Sequence, residues 1–151
     1  MDIQVNGHQG DPRIKIRMVR RKLKAILNDL GCRDRELSVL FVDDEEMTRL
    51  NHRYLRREGS TNVIAFPMIE KGALKSDEAG FESLMLGDVV VCTDTAAREA
   101  EAAGVSVEEV VDRLLIHGIL HLLGYEHEAS EKDAMMMEEE EHRLRGMVRE
   151  V

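Results

Sequence analysis

Residues 116–127 read IHGILHLLGYEH and hold three of the chain's six histidines, His117, His121 and His127, in the pattern H-x-x-x-H-x-x-G-x-x-H. His117 and His121 are four apart, so on a helix their rings lie on one face, one turn above the other. Two imidazoles in that arrangement can reach the same metal ion. Gly124 offers the position that ends the helix, since glycine takes positive φ without steric cost, and the turn can bring His127 back as a third ligand. Three neutral imidazoles leave the fourth position of a tetrahedral zinc open for water, as in a catalytic site. Ile116, Ile119, Leu120, Leu122 and Leu123 make the segment strongly apolar. It is therefore also a core helix that needs a surface to pack on, and a sheet face is the expected one. Packing alone explains one histidine in such a helix; it does not explain three with a glycine at the turn.

Metzincin proteases share this spacing but carry glutamate directly after the first histidine as general base. Here that position is Gly118, so the usual proton acceptor of a zinc protease is missing. Glycine costs about 1 kcal/mol relative to alanine inside a helix. The expected benefit is space beside the metal for a bulky substrate.

At 151 residues the chain is long enough for one domain with a sizeable core, and residues 1–151 read as a single unit without repeats or linkers. No apolar run approaches the roughly 20 residues needed to span a membrane, and the N-terminus lacks the basic and apolar segments of a secretory signal. Cys32 and Cys92 are isolated and read as buried free thiols, which fits a cytoplasmic setting. A net charge of −9 argues against indiscriminate nucleic-acid binding, but the charge is uneven. Arg13, Lys15, Arg17, Arg20, Arg21, Lys22 and Lys24 form one basic cluster, and Arg49, Arg53, Arg56 and Arg57 a second. Such faces can bind phosphate backbones, or they are solvated helix surface paired with the acidic stretch 126–141.

Alternation at Ile3 and Val5 predicts a short strand. Pro12 suits the first turn of a helix running to about Leu30, stopped by Gly31. Residues 36–42 read as an inner strand, with Leu37, Val39 and Phe41 on one side and Leu40 and Val42 on the other. Asp43 caps the next helix, whose inner face is Met47, Leu50 and Tyr54. Strands follow at 62–66 and 84–92, separated by a mobile surface loop over 70–83. Thr93 caps a helix stopped by Gly104. Ser106 with Glu109 starts the histidine helix, and Ser130 with Asp133 the last one. Met135, Met136 and Met137 are expected in the core, and the four glutamates after them on a solvated face. The order β-α-β-α-β-β-α-α-α makes an α+β domain on one small sheet.

The stretch from His117 to His127 resembles the signature of the YbeY family, metal-dependent endoribonucleases of rRNA maturation. Two more segments match in family order: Leu50-Asn51 with residues 61–67, TNVIAFP, and Leu86-Gly87-Asp88-Val89-Val90. The resemblance implies a small mixed β-sheet flanked by helices, similar in outline to zinc proteases. It implies one zinc ion on His117, His121 and His127, although three histidines also suit another transition metal. It further implies a cytoplasmic enzyme that maturates the 3′ end of 16S rRNA, takes part in ribosome quality control, and meets rRNA and the small ribosomal subunit or its proteins. Glu126 stands where the family usually has aspartate. Some members place a catalytic arginine four residues after the asparagine; here that position is Leu55. Either Arg56 covers the role from the neighbouring position or the chain does without it.

Arg56 or Arg57 would stabilise charge on the transition state, and the RNA's own 2′-OH could be the nucleophile, which would fit the missing glutamate. Two other classes are weighed: a ribosome-associated binding module with a structural zinc, and a metallopeptidase-like zinc hydrolase.

Overall fold

A computed structural model describes residues 2–7, 11–68, 85–126 and 128–151. The loop expected at 70–83 and His127 lie outside the described residues. Four apolar runs pair into one sheet: β1 (Asp2–Asn6), β2 (Glu36–Val42), β3 (Val63–Pro67) and β4 (Met85–Cys92), in the order β1-β2-β4-β3. β1, β2 and β4 are parallel, and β3 runs antiparallel to β4 along an edge. Five helices alternate with and follow them: α1 (Ile16–Asp29), α2 (Asp44–Leu55), α3 (Thr93–Ala103), α4 (Val107–Leu122) and α5 (Glu131–Val148). This is the expected element order and a mixed α+β fold. No helix among the described residues is long and apolar enough to cross a membrane.

Strand alternation divides the apolar side chains between the two sheet faces. Leu37, Val39, Phe41, Val89 and Val91 face the main core, which α1, α4 and α5 close. Val42, Val90, Cys92 and Ile64 face the other way and meet Met47 and Leu50 of α2 in a smaller cluster. Lys22 of α1 is buried, and its ammonium donates to Glu108 Oε1 at 2.7 Å and Asp112 Oδ2 at 2.8 Å on α4. Arg13 pairs with Asp11 and Asp94. Part of the first basic cluster therefore ties the fold together and does not form an open phosphate-binding face.

Two glycines set the distances around the sheet. A Cβ on Gly87, at φ +143°, would lie 2.2 Å from the carbonyl oxygen of Phe66, so only glycine lets β3 close on β4 there. A Cβ on Gly118 would lie 2.7 Å from Val89 Cγ1 and 3.2 Å from Cγ2. Gly118 thus faces the sheet and brings α4 close to β4. The room left by the missing side chain is thus taken up by Val89.

Several boundaries differ from expectation. Pro12 precedes α1, which begins at Ile16. Cys92, not Thr93, occupies the N-cap of α3, and the Thr93 hydroxyl bonds to the carbonyl of Val42. Met137 is buried, whereas Met135 and Met136 are exposed. Tyr54 is 53% exposed, because α2 meets the sheet through Met47 and Leu50 and its last turn runs past that contact.

Candidate metal centre

Helix α4 starts where Ser106 Oγ accepts from the Glu109 amide at 3.1 Å, which satisfies one of the free N–H groups of the first turn. Its buried residues run from Val110 to Leu122. It ends in a Schellman turn: the Gly124 amide donates to the His121 carbonyl and the Tyr125 amide to that of Leu120, both at 3.0 Å, with Gly124 at φ +95°. Tyr125 packs on the main core, the apolar contact that accompanies this turn. The expected role of Gly124 is met.

The structure brings His117 and His121 together. Their ring centroids are 4.5 Å apart and their Nε2 atoms 3.0 Å apart. On the far side of the His117 ring, Nδ1 lies 2.7 Å from Oε1 of Glu141 on α5. An ionised carboxylate only accepts, so Nδ1 carries the hydrogen and the Nε2 of a neutral His117 is left with its lone pair turned toward His121. Carboxylate–histidine pairing of this kind orients metal-binding imidazoles. Two imidazole nitrogens about 2.0–2.1 Å from a tetrahedral zinc are roughly 3.3 Å apart. The observed pair needs to part by only a few tenths of an ångström, so these side chains fit a shared ion. Among the described residues no group of three His, Cys, Asp or Glu side chains is arranged to hold a metal.

Two adjoining hollows meet at Arg113, His117 and Glu141. One, of about 280 Å³, is bordered also by Asn62, Val63 and Glu99; the other, of about 820 Å³, opens between α4 and α5. Together they are ample for a nucleotide-sized group. Arg113 stands one turn before His117. It bonds to Glu99 Oε2 at 3.0 Å, and the other oxygen of Glu99 accepts from Asn62 Nδ2 at 3.0 Å. Arg56 lines neither hollow. It is exposed at the end of α2, with φ 56° and its amide bonded to the His52 carbonyl.

Glu141 and Arg113 are the residues that sequence reasoning missed. Arg113 continues the spacing of His117 and His121 backward by four, a signal that was available. The sequence places Glu141 on a solvated face, and nothing local separates it from Glu138, Glu139 and Glu140. Only the packing of α5 against α4 does so.

The sequence profile of the family described as Endoribonuclease YbeY matches residues 4–148. A protein named Endoribonuclease YbeY from Syntrophotalea carbinolica is 42% identical over 149 residues, covering 98% of this chain and 96% of that protein. One of the same name from Syntrophus aciditrophicus is 40% identical over 146 residues, covering 93% of this chain and 86% of that protein. The solution structure of TM1509 from Thermotoga maritima superposes with a TM-score of 0.68 at 24% identity, covering 97% of this chain and 88% of that one. That likeness concerns the fold.

Proposed function

The chain belongs to the YbeY endoribonuclease family, and from that premise we propose that it is a zinc-dependent, single-strand-specific endoribonuclease. Its proposed task is maturation of the 16S rRNA 3′ end and ribosome quality control, in the cytoplasm, in contact with the small ribosomal subunit or its proteins. RNA cleavage itself is supported by the family names.

The observation that carries the metal reading is the assignment of both nitrogens of His117: Nδ1 toward Glu141, Nε2 toward His121. We take His117, His121 and His127 as the metal ligands, the last on its place in the motif alone. When bound, the metal supplies Lewis acidity and access to a nucleophile at neutral pH. Glu141 holds the His117 ring in one tautomer. Arg113 is the cation we set beside the scissile phosphate, since it borders both hollows with His117, and its fork of N–H donors can serve phosphoryl oxygens while one donor stays on Glu99. Arg56, the candidate on sequence grounds, does not line that hollow.

Gly118 bears on the rival hydrolase reading. A glutamate there would meet Val89, so this backbone has no room for the metzincin base. Attack by the 2′-OH of the RNA itself makes a dedicated protein base at that position less necessary, provided the hydroxyl proton passes to another acceptor such as water. Incubating a single strand that ends in the 16S 3′ region with the zinc-loaded chain should give discrete cuts, whereas a duplex of the same sequence should stay whole. A 2′,3′-cyclic phosphate on the products would establish 2′-OH attack. Tight rRNA binding without turnover would favour the binding module, and peptide cleavage that disappears in His121→Ala would favour the hydrolase.

A further inference from the structure

Helix α2 covers only part of its sheet face. Beyond Leu50 an open groove of about 410 Å³ runs over the strands, floored by Ser38 and Asp88 and walled by Leu50, Tyr54 and Phe66. Tyr54 is 53% exposed, and its ring meets Phe66 edge to face, centroids 5.2 Å apart. The Arg53 guanidinium carbon lies 5.3 Å from the centre of the Tyr54 ring, within reach of a cation–π contact. Arg56 and Arg57 follow at once on a pinned turn: the Arg57 amide donates to the Asn51 carbonyl, and buried Asn51 donates from Nδ2 to the carbonyl of Gly59. Arg13, Arg49, Arg98, Arg113 and Arg143 are each ion-paired with a carboxylate. Among the described residues Arg53, Arg56 and Arg57 have no such pair; the same holds of Arg17 and Arg21 on α1, but these three lie within five residues, beside the exposed Tyr54 ring.

We propose that this uncovered sheet face is a second contact site for the single-stranded substrate, with a nucleobase stacked on Tyr54 and the strand's phosphates led past Arg53, Arg56 and Arg57. The proposal rests on the RNA-cleaving reading above. Exposed aromatic rings beside basic side chains are the sequence-tolerant way to hold single strands, and unpaired arginines on a chain of net charge −9 mark where an anion is welcome. Asp88 in the floor repels phosphate but accepts from base amino groups, so bases cross the sheet and phosphates keep to the arginine side. The groove and the histidine hollow border the same edge strand: β3 ends the sheet on this side, and Val63 borders the hollow of His117 while Phe66 faces the groove. A strand rounding that edge touches both. Arg56 thereby belongs to substrate binding and not to the chemical step.

The test is binding of fluorescein-labelled RNA single strands of about 4 to 16 nucleotides to metal-free full-length chain, read by anisotropy. Wild-type affinity should climb with length until both sites are filled. Tyr54→Ala should lose about 10-fold on long strands, the loss of one stacked base, and flatten the length dependence, while Tyr54→Phe keeps both. Arg53→Gln with Arg57→Gln should reduce the slope of log affinity on log salt by about 1.4, at about 0.7 for each phosphate contact on a single strand. Tyr54→Ala that binds long strands as wild type does would overturn the assignment and leave the groove to a protein partner. Cleavage is scored separately, with the zinc-loaded wild type against His121→Ala. A wild type that binds in this length-dependent way yet never cuts would sink the enzyme reading and not the groove.

Discussion

Glu141 on α5 accepts a hydrogen bond from Nδ1 of His117 on α4 at 2.7 Å, and so turns the other nitrogen of that ring toward His121. The two helices are therefore joined by the bond that orients the proposed metal ligand. Glu141→Ala should lower zinc affinity by roughly 10- to 100-fold, the usual cost of losing such a partner. Glu141→Gln should lose less, because its carbonyl can still accept from Nδ1–H. Competition with a chromogenic chelator measures both. Equal affinity in all three proteins would remove Glu141 from the site.

Gly118→Ala should destabilise the chain. Its Cβ would sit 2.7 Å from Val89 Cγ1, and overpacking of that kind costs about 1–3 kcal/mol, against a helix gain of about 1 kcal/mol. A net loss of about 1 kcal/mol in urea unfolding is expected. The double variant with Val89→Ala should lose less than the sum of the two single changes. Strict additivity would mean that α4 does not approach β4 at this point.

Lys22→Met should cost about 3 kcal/mol, because it leaves the Asp112 carboxylate uncompensated in a largely buried setting. Burial already holds Asp112 above the ordinary carboxylate range, against the pull of Lys22. Protonating it relieves the variant, so the deficit relative to wild type should shrink as pH falls through the Asp112 range. In the wild type, burial lowers the Lys22 pKa, but hydrogen bonds to Asp112 and Glu108 outweigh this and hold it above its ordinary 10.5. The Lys22 contribution is then fully present below that pH and lost as pH rises through the raised value. Urea unfolding across pH checks both signs. A pH-independent deficit in the variant would contradict this reading of the cluster.

The comparison of sequence with structure divides by range. The histidine pair, the turn at Gly124 and the caps at Asp43, Ser106 and Ser130 are local devices, and periodicity and residue type identify them. The alternation in residues 36–42 likewise announces an inner strand with apolar side chains on both faces, although Ser38 and Leu40 on the α2 side are only half-buried. Tyr54 fits the spacing of Met47 and Leu50, yet is exposed, because periodicity gives the side of α2 it shares but not how closely the last turn lies on the sheet, where the ring meets Phe66 edge to face beside an open groove. Met135 and Met136 fail for the same reason, since only Met137 of the run meets the core. In the sequence Gly118 shows only a missing carboxylate, whereas its contact is with Val89 of β4, far away in the chain. Glu141 lies 24 residues from its histidine, and no local pattern joins them.

The most direct measurement is a zinc titration of metal-stripped chain, with cleavage of a 16S 3′-end single strand followed in matched preparations of wild type and His121→Ala. Wild-type activity should rise in proportion to zinc and level off at one equivalent per chain. His121→Ala should bind zinc weakly and cut nothing. Equal cleavage by both preparations, or wild-type cleavage indifferent to zinc, would contradict a catalytic metal at the histidine pair.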